Sequence, residues 1–392
     1  MRMTAHGRRS EAVSIIGGSA AGFYTAYLLA RRGLPVRVFE QAERLEPWVR
    51  TLIVTSRMRN LLGPLGEGAV VNEIRRFELF TDGRSATIPL ERPDLIIERA
   101  RLIHQLAARA EREGAGVCLG RKFQQLARNG SGLTLSFERA QDGASEEVHA
   151  HTVVGADGAI SRVAQAAGWT RQPTVPLVQA VVRLPKDMPA DAVRVWFIPQ
   201  DTPYFYWLIP DSPTHGVLGL IGEEGKETRQ RLETFLDKRG FSAKGFQGAR
   251  IPRYSQWIPV ERRIGEGRVY LVGDAAGQVK VTTVGGIVTG LRGALGVAEA
   301  ILNGGPSGEL RRLRRELDLH LWIRRMLHRF TQADYSRLLD LLNPPARNAL
   351  STYDRDAAGS ILWRLCLKQP RLVLLGVRGL LTGSFPSSAS RP

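Results

Sequence analysis

The apolar and polar positions of this chain change rhythm several times. The first patterned stretch is a mostly apolar run, Val13 to Ile16, followed by Gly17-Gly18-Ser19-Ala20-Ala21-Gly22, a helix-like run from Phe23 to Arg32, and a second apolar run from Val36 that ends at Glu40. That order predicts strand, glycine turn, helix, strand. Two short alternating segments, 76–80 and 86–90, flank Thr81-Asp82-Gly83-Arg84 and predict a hairpin. From Asp94 to Glu113 the period becomes helical, with Leu102, Leu106 and Ala110 on one face and Arg99 in the first turn. Strand rhythm returns at 117–119, 123–127, 132–137 and 148–154, the last leading into Gly155-Ala156-Asp157-Gly158. Residues 175–222 alternate strongly and predict a broad antiparallel sheet. The strand 268–272 then runs into Gly273-Asp274, and Gly285-Gly286 opens an apolar helix, Ile287 to Leu302. A helix from Leu310 to Phe330 mixes leucines with seven arginines, and residues 361–382 form a second apolar and basic stretch broken by Pro370. The pattern as a whole is α/β, with an antiparallel sheet inserted and helices at the end.

Composition narrows the partners. At 392 residues and 43% hydrophobic, the chain can bury a large core and divide into two or three units. It has no apolar run of about 18 residues, and the short basic segment Met1 to Arg9 leads into the glycine turn, so a cytoplasmic protein is expected. Cys118 and Cys366 lie far apart and form no metal or redox pattern, so no metal is expected. A net charge of +17 calls for an anionic partner. No zinc-finger, RNP or basic-zipper pattern accompanies the charge, so nucleic acid is not expected. Phosphorylated small molecules and an acidic membrane face remain, the latter met peripherally through the basic C-terminal helices.

Candidate chemistry concentrates at three turns. The glycines at 17, 18 and 22 let backbone N–H groups approach a pyrophosphate at a helix N-terminus, and Glu40, about 20 residues on, can accept ribose hydroxyls. Asp157 after a strand reads either as a ligand-facing carboxylate or as a helix cap. Asp274 ends a strand where it can hold a polyol hydroxyl, and Gly286 opens a helix whose positive end can face a developing anion. The aromatics Tyr204-Phe205-Tyr206-Trp207 read either as sheet core or as the wall of an apolar pocket.

These turns, in this order, resemble the FAD-binding elements of flavoproteins related to p-hydroxybenzoate hydroxylase. Within that group, the run from Gly273 to Ile287 is similar to the GDAAGxxKPTTGGGI pattern of the geranylgeranyl reductase family. Phe205-Tyr206-Trp207-Leu208-Ile209-Pro210 resembles that family's (Y/F)xWxFP substrate motif. The resemblance covers roughly residues 10–300. It implies a Rossmann-like FAD domain at 10–66, 94–172 and 250–305 and a substrate-binding β-sheet domain at 67–93 and 173–249; beyond it the pattern itself reads as a helical region at 306–383 and a disordered tail at 384–392. It also implies that Gly17, Gly18, Ala21, Gly22 and Glu40 bind the ADP part, that Arg99 lies near diphosphate and flavin, and that Phe123 meets adenine through its backbone. Asp157 belongs to the same cofactor turns, Asp274 holds the ribityl chain, and Gly286 and Ile287 meet the flavin C2 oxygen. Phe205, Trp207 and Pro210 contact a prenyl chain.

The implied activity is FAD-dependent saturation of isolated C=C bonds in a geranylgeranyl-type chain, with NADPH or a reduced ferredoxin as donor. No proton donor is assigned. Tyr206 and His215 qualify by chemistry, and each also reads as an ordinary sheet or surface residue. An FAD-dependent monooxygenase needs the same cofactor site and stays open. A flavin-dependent halogenase shares the Trp-x-Ile-Pro element but uses a lysine upstream of the sheet, and here no lysine precedes Lys122. A scaffold that merely shields a prenyl group, as the Rab GDP-dissociation inhibitors do on a similar fold, would not need the intact flavin motifs.

Overall fold

The computed structural model describes residues 12–45, 50–130, 132–186, 188–352 and 355–381; segment 1–9 and the expected tail 384–392 lie outside them. In chain order the elements begin with β1 (Val13–Ile16), α1 (Ala20–Ala30), β2 (Val36–Phe39), β3 (Thr51–Val54), α2 (Arg57–Leu62), β4 (Val70–Thr81), β5 (Arg84–Glu98) and α3 (Arg99–Arg112). Next come β6 (Gly116–Cys118), β7 (Arg121–Asn129), β8 (Gly132–Arg139), β9 (Ser145–Ala150), β10 (Thr152–Gly155), α4 (Arg162–Ala166), β11 (Thr174–Arg183), β12 (Ala192–Trp196), β13 (Tyr206–Pro210) and β14 (His215–Ile221). The chain continues through α5 (Gly225–Arg239), β15 (Ala243–Pro252), β16 (Glu261–Ile264), β17 (Gly267–Leu271) and α6 (Ile287–Asn303). It ends with α7 (Gly308–Leu327), α8 (Gln332–Asp340), α9 (Pro344–Thr352), α10 (Ala358–Lys368) and α11 (Pro370–Leu381). The described residues divide into two units. The first takes those up to Val71, Leu95–Val175 and Arg250–Asp318, and the second Asn72–Asp94, Pro176–Ala249 and those from Leu319 onward.

The first unit is built on a six-stranded sheet of order β16-β17-β10-β1-β2-β6. β1 lies at its centre, parallel to β10 through Ile15↔Val154 and to β2 through Ile15↔Val38. β1 is buried at all four positions, which is why it reads as a mostly apolar run, interrupted at Ser14, instead of alternating inward apolar with outward polar residues. α1 is buried all round except at Leu28. A separate antiparallel sheet, β7-β8-β9, follows β6.

Two boundaries differ from the pattern-based expectation. Residues 94–98, expected as helix, finish β5 and pair with β3 through Leu52↔Ile97 and Thr51↔Glu98. Leu95, Ile96 and Ile97 are fully buried there, and Glu98 caps α3 by accepting from the N–H groups of Ala100 at 2.7 Å and Arg101 at 3.0 Å. The expected strand 148–154 is two strands in two sheets, broken at His151, whose carbonyl accepts from Arg268 N–H at 2.8 Å.

The second unit carries the strand order β15-β11-β14-β13-β12-β4-β5. It is antiparallel at β11/β14, β14/β13 and β13/β12, and parallel at β12/β4. The β4–β5 hairpin turns at Asp82 and Gly83, both at positive φ (26° and 72°), as a tight turn matched to strand twist requires. α5 packs Leu232, Phe235 and Leu236 against Val182, Tyr206, Leu208 and Leu220. Leu339 of α8, Ala346 of α9 and Leu342 between them pack with Ala86 and Ile88. Among the described residues no helix is long and apolar enough to cross a membrane.

Candidate functional site

The turn between β1 and α1 is shaped by close backbone approach. Gly17 has φ 106°, and a β-carbon there would lie 2.5 Å from the Ala156 carbonyl oxygen and 2.9 Å from Asp157 Cα. A β-carbon on Gly22 would lie 2.3 Å from the Gly17 carbonyl oxygen. Only glycine fits at either place. Gly18 N–H donates to Glu40 Oε2 at 2.6 Å, and Ala42 N–H donates to Glu40 Oε1 at 3.0 Å. Glu40 thus fixes the turn and keeps a lone pair on each oxygen for a hydroxyl donor. Ser19, standing where the dinucleotide fingerprint has its middle glycine, is the N-cap of α1, its Oγ accepting from Gly22 N–H at 3.1 Å.

Asp157 has the capping geometry. Its carboxylate accepts from Ser161 Oγ at 2.5 Å and from the N–H groups of Arg162 at 2.7 Å and Val163 at 3.1 Å, opening α4. Burial pushes its pKa up while these hydrogen bonds hold it down. Phe123, in β7, meets Phe137 edge-on, and Phe137 stacks on Phe39 at 4.5 Å, so an aromatic row stands beside Glu40. The Phe123 carbonyl faces Arg162 Nη1 at 3.4 Å.

The second helix N-terminus meets the first. A β-carbon on Gly273 would lie 3.0 Å from Ala21 Cβ, and one on Gly290, in the first turn of α6, would lie 3.3 Å from Gly273 Cα. Ala21, Gly273 and Gly290 therefore bring the starts of α1 and α6 together by lacking bulk. Gly286 is the N-cap of α6 and gives it no side-chain cap, which leaves the helix's first N–H groups, beginning at half-buried Ile287, for another acceptor. A β-carbon on Gly286 would lie 3.0 Å from Asp274 Oδ1. Burial raises the Asp274 pKa against the opposing pull of Arg99 and Arg50.

Arg50 was not legible as a site residue. The pairing Thr51↔Glu98 sets it opposite Arg99, whose N–H donates to the Arg50 carbonyl at 3.0 Å. Its guanidinium is pulled down to about 10, first by burial and then by Arg99, with Asp274 opposing, and its Nε is buried with no hydrogen-bond partner. Two cations, one acid and an uncapped helix start form a cradle for an anionic, polyhydroxylated group. One position in the loop before α6 is strained: Val284 has φ 52°, a left-handed conformation costly for a β-branched residue, where the reductase-family pattern has glycine.

In the second unit the pleat of β13 separates its aromatics. Phe205 and Trp207 meet edge-on with centroids 6.1 Å apart, and Trp207 lies against Gly219, where a β-carbon would come within 2.6 Å of its ring. Trp207 Nε1 is buried with no hydrogen-bond partner. Tyr206, Leu208 and Pro210 alternate to the other face. Tyr206 stacks on Phe235 at 4.1 Å and donates to Asp201 Oδ2 at 3.0 Å, and burial raises its pKa well above the ordinary phenol value. That makes it a packed sheet residue. His215 sits at the start of β14 with Thr214 Oγ1 at 2.8 Å and Lys244 Nζ at 2.7 Å from its ring nitrogens. Arg324, nearly fully buried, lies over the Tyr204 ring at 4.9 Å and donates to the Pro203 carbonyl at 3.0 Å.

Residues 10–303 match the FAD binding domain family. The chain is 31% identical over 292 residues to digeranylgeranylglycerophospholipid reductase 2 of Methanothermobacter thermautotrophicus, covering 70% of this chain and 73% of that protein. It is 27% identical over 311 residues to the geranylgeranyl diphosphate reductase of Rhodobacter capsulatus, covering 76% and 77%. Among solved structures, a geranylgeranyl bacteriochlorophyll reductase-like protein from Thermoplasma acidophilum superposes with a TM-score of 0.74 at 18% identity, covering 93% of this chain and 98% of that one. The p-nitrophenol 4-monooxygenase of Pseudomonas putida shares the fold at a TM-score of 0.63 and 18% identity, covering 94% and 98%. The glycine turn that only glycine can form, the two converging helix starts and these likenesses agree, and the chain belongs to the FAD-dependent oxidoreductases of the geranylgeranyl reductase family.

Proposed function

We propose that the protein reduces isolated C=C bonds of a geranylgeranyl-type prenyl chain. The supporting observation is the likeness, over about three quarters of each chain, to two enzymes named for reducing geranylgeranyl substrates. Such a bond is unpolarised, so its reduction needs a hydride at one carbon and a proton at the other, and bound FAD supplies the hydride from N5 of its reduced ring. The chain's own residues bind and orient the cofactor and the prenyl chain. The α1 start, Gly17, Gly18, Ala21 and Gly22, would take the diphosphate, Glu40 would take the ribose, and the Phe123 backbone would meet the adenine. Asp157 holds its turn against Gly17, and Asp274 accepts from the ribityl hydroxyls. Gly286, Ile287, Arg50 and Arg99 stabilise negative charge on the cofactor. Phe205 and Trp207 line the way for the apolar chain and exclude water. Electrons come from NADPH or a reduced ferredoxin.

The test is anaerobic: reduce the purified flavoprotein, add geranylgeranyl diphosphate, and follow flavin absorbance and product mass. Flavin reoxidation with a gain of one H2 per reduced bond is expected. An unchanged prenyl compound, with flavin reoxidised only when oxygen enters, overturns the reductase in favour of a monooxygenase.

A further inference from the structure

Four of the six large apolar side chains that stand most exposed on the described surface belong to three C-terminal helices: Trp322 on α7 (59% exposed), Trp363 and Leu367 on α10 (67% and 65%), and Leu374 on α11 (68%). These helices meet along one stretch. A β-carbon on Gly359 of α10 would lie 3.7 Å from Leu319 Cδ2, and one on Gly376 of α11 would abut Met326 Sδ at 2.5 Å. Trp322 follows Leu319 by one turn, Trp363 follows Gly359 by one turn, and Leu367 follows Trp363 by another. Leu374, two residues before Gly376, points away from Met326.

The charge around them is mainly of one sign; Asp318, one turn before Trp322, is paired with Arg314 and accepts from the Tyr254 hydroxyl. Between Leu319 and Leu327, and again between Ala358 and Leu381, the sequence has no Asp or Glu. Arg325 lies over the Trp322 ring at 5.4 Å, and Lys368 and Arg371 are exposed beside Leu367 and the α10–α11 junction. Exposed tryptophan and leucine with an excess of cations beside them match the layer of a lipid bilayer where anionic headgroups meet acyl chains. Among the described residues no helix is both long and apolar enough to pass through. We infer that the face formed by Trp322, Trp363, Leu367 and Leu374, with Arg325, Lys368 and Arg371, docks the protein on an anionic bilayer surface without spanning it. The inference does not depend on the reductase reading.

The test uses the full-length flavoprotein with vesicles of phosphatidylcholine alone and of phosphatidylcholine mixed with phosphatidylglycerol, read by co-sedimentation and by tryptophan emission. Binding to the mixed vesicles with a blue shift, falling steeply as salt rises, is expected. Trp363→Ser with Leu367→Ser should weaken partitioning about tenfold or more, and Lys368→Glu with Arg371→Glu should abolish the preference for anionic vesicles. Flavin content and melting temperature of both variants report folding. No binding by the wild type, binding unaffected by either pair, or burial of Trp363 in a dimer by sedimentation each overturns the proposal. The last result would assign the face to a second copy of the chain.

Discussion

Two helices of the first unit begin at glycine turns and are held in opposite ways. α1 is apolar and buried on nearly every side, and its start is satisfied in part internally: Ser19 caps Gly22 and Glu40 takes Gly18 N–H. α6 has no side-chain cap, and it is anchored further along by Arg292, which is almost wholly buried and holds Glu309 Oε1 at 2.5 Å and Glu316 Oε2 at 2.6 Å, both on α7. One start is a finished piece of backbone architecture that a ligand approaches. The other has no side-chain cap and has an acid and two arginines around it, which leaves its first N–H groups for the cofactor proposed above.

The comparison can be broken most sharply at Gly17. Gly17→Ala forces a β-carbon onto the Ala156 carbonyl at positive φ, so the purified protein should retain about a tenth or less of the wild-type flavin, read from its absorbance ratio. A protein with normal flavin would mean that the turn can relax and that the cradle is not rigid. Arg292→Leu tests the anchor of α6. It strands two acids that are mostly buried, so denaturant unfolding should show a loss of about 3 kcal/mol, tempered by Arg312 and Arg57, which also reach Glu309 and Glu316.

Asp274→Asn should separate binding from stability. It should weaken FAD binding about tenfold in fluorescence titration of the apoprotein, through loss of a charged acceptor. The folded pKa of Asp274 is raised, so the folded state holds its proton more tightly than the unfolded chain does. The group therefore destabilises the fold as pH rises through the interval between its unfolded value, about 3.9, and the higher folded one. The neutral variant should consequently melt above wild-type apoprotein at neutral pH and lose that margin in acid; equal melting at both would remove the charge from the account. The smallest effect belongs to Ser19. Ser19→Ala should cost about 1 kcal/mol and Ser19→Gly only a few tenths, with little change in flavin content for either, because the turn's shape rests on Gly17 and Gly22.

The sequence made the βαβ unit legible because burial on both faces leaves mostly apolar runs and glycines leave a unique mark. It misled where one residue type serves two elements. Leu95, Ile96 and Ile97 suit a helix and a buried strand equally, and only the pairing with β3 decides, which moved the start of α3 to Arg99. The break at His151 is likewise a matter of which sheet each half joins. α5 drew no expectation, and α8 and α9 were expected only as part of an undivided helical region at 306–383, since their apolar positions are sparse among charges and become a face only against the sheet. Arg50 was invisible as a site residue because its role depends on strand register, and Pro210 falls on the opposite face from Trp207 because the pleat alternates. Ser19 looked like a defect in a fingerprint and is a cap.

Val284 gives the loop before α6 a consequence for its opening rate. Its left-handed backbone raises the energy of the closed loop by about 1–2 kcal/mol, and that loop is closed by Lys280 N–H donating to the Gly285 carbonyl at 3.1 Å. In the apoprotein this amide should therefore exchange with deuterium ahead of those in the sheet beneath it. Bound cofactor should slow it, so the loop keeps time on when the helix start is in use.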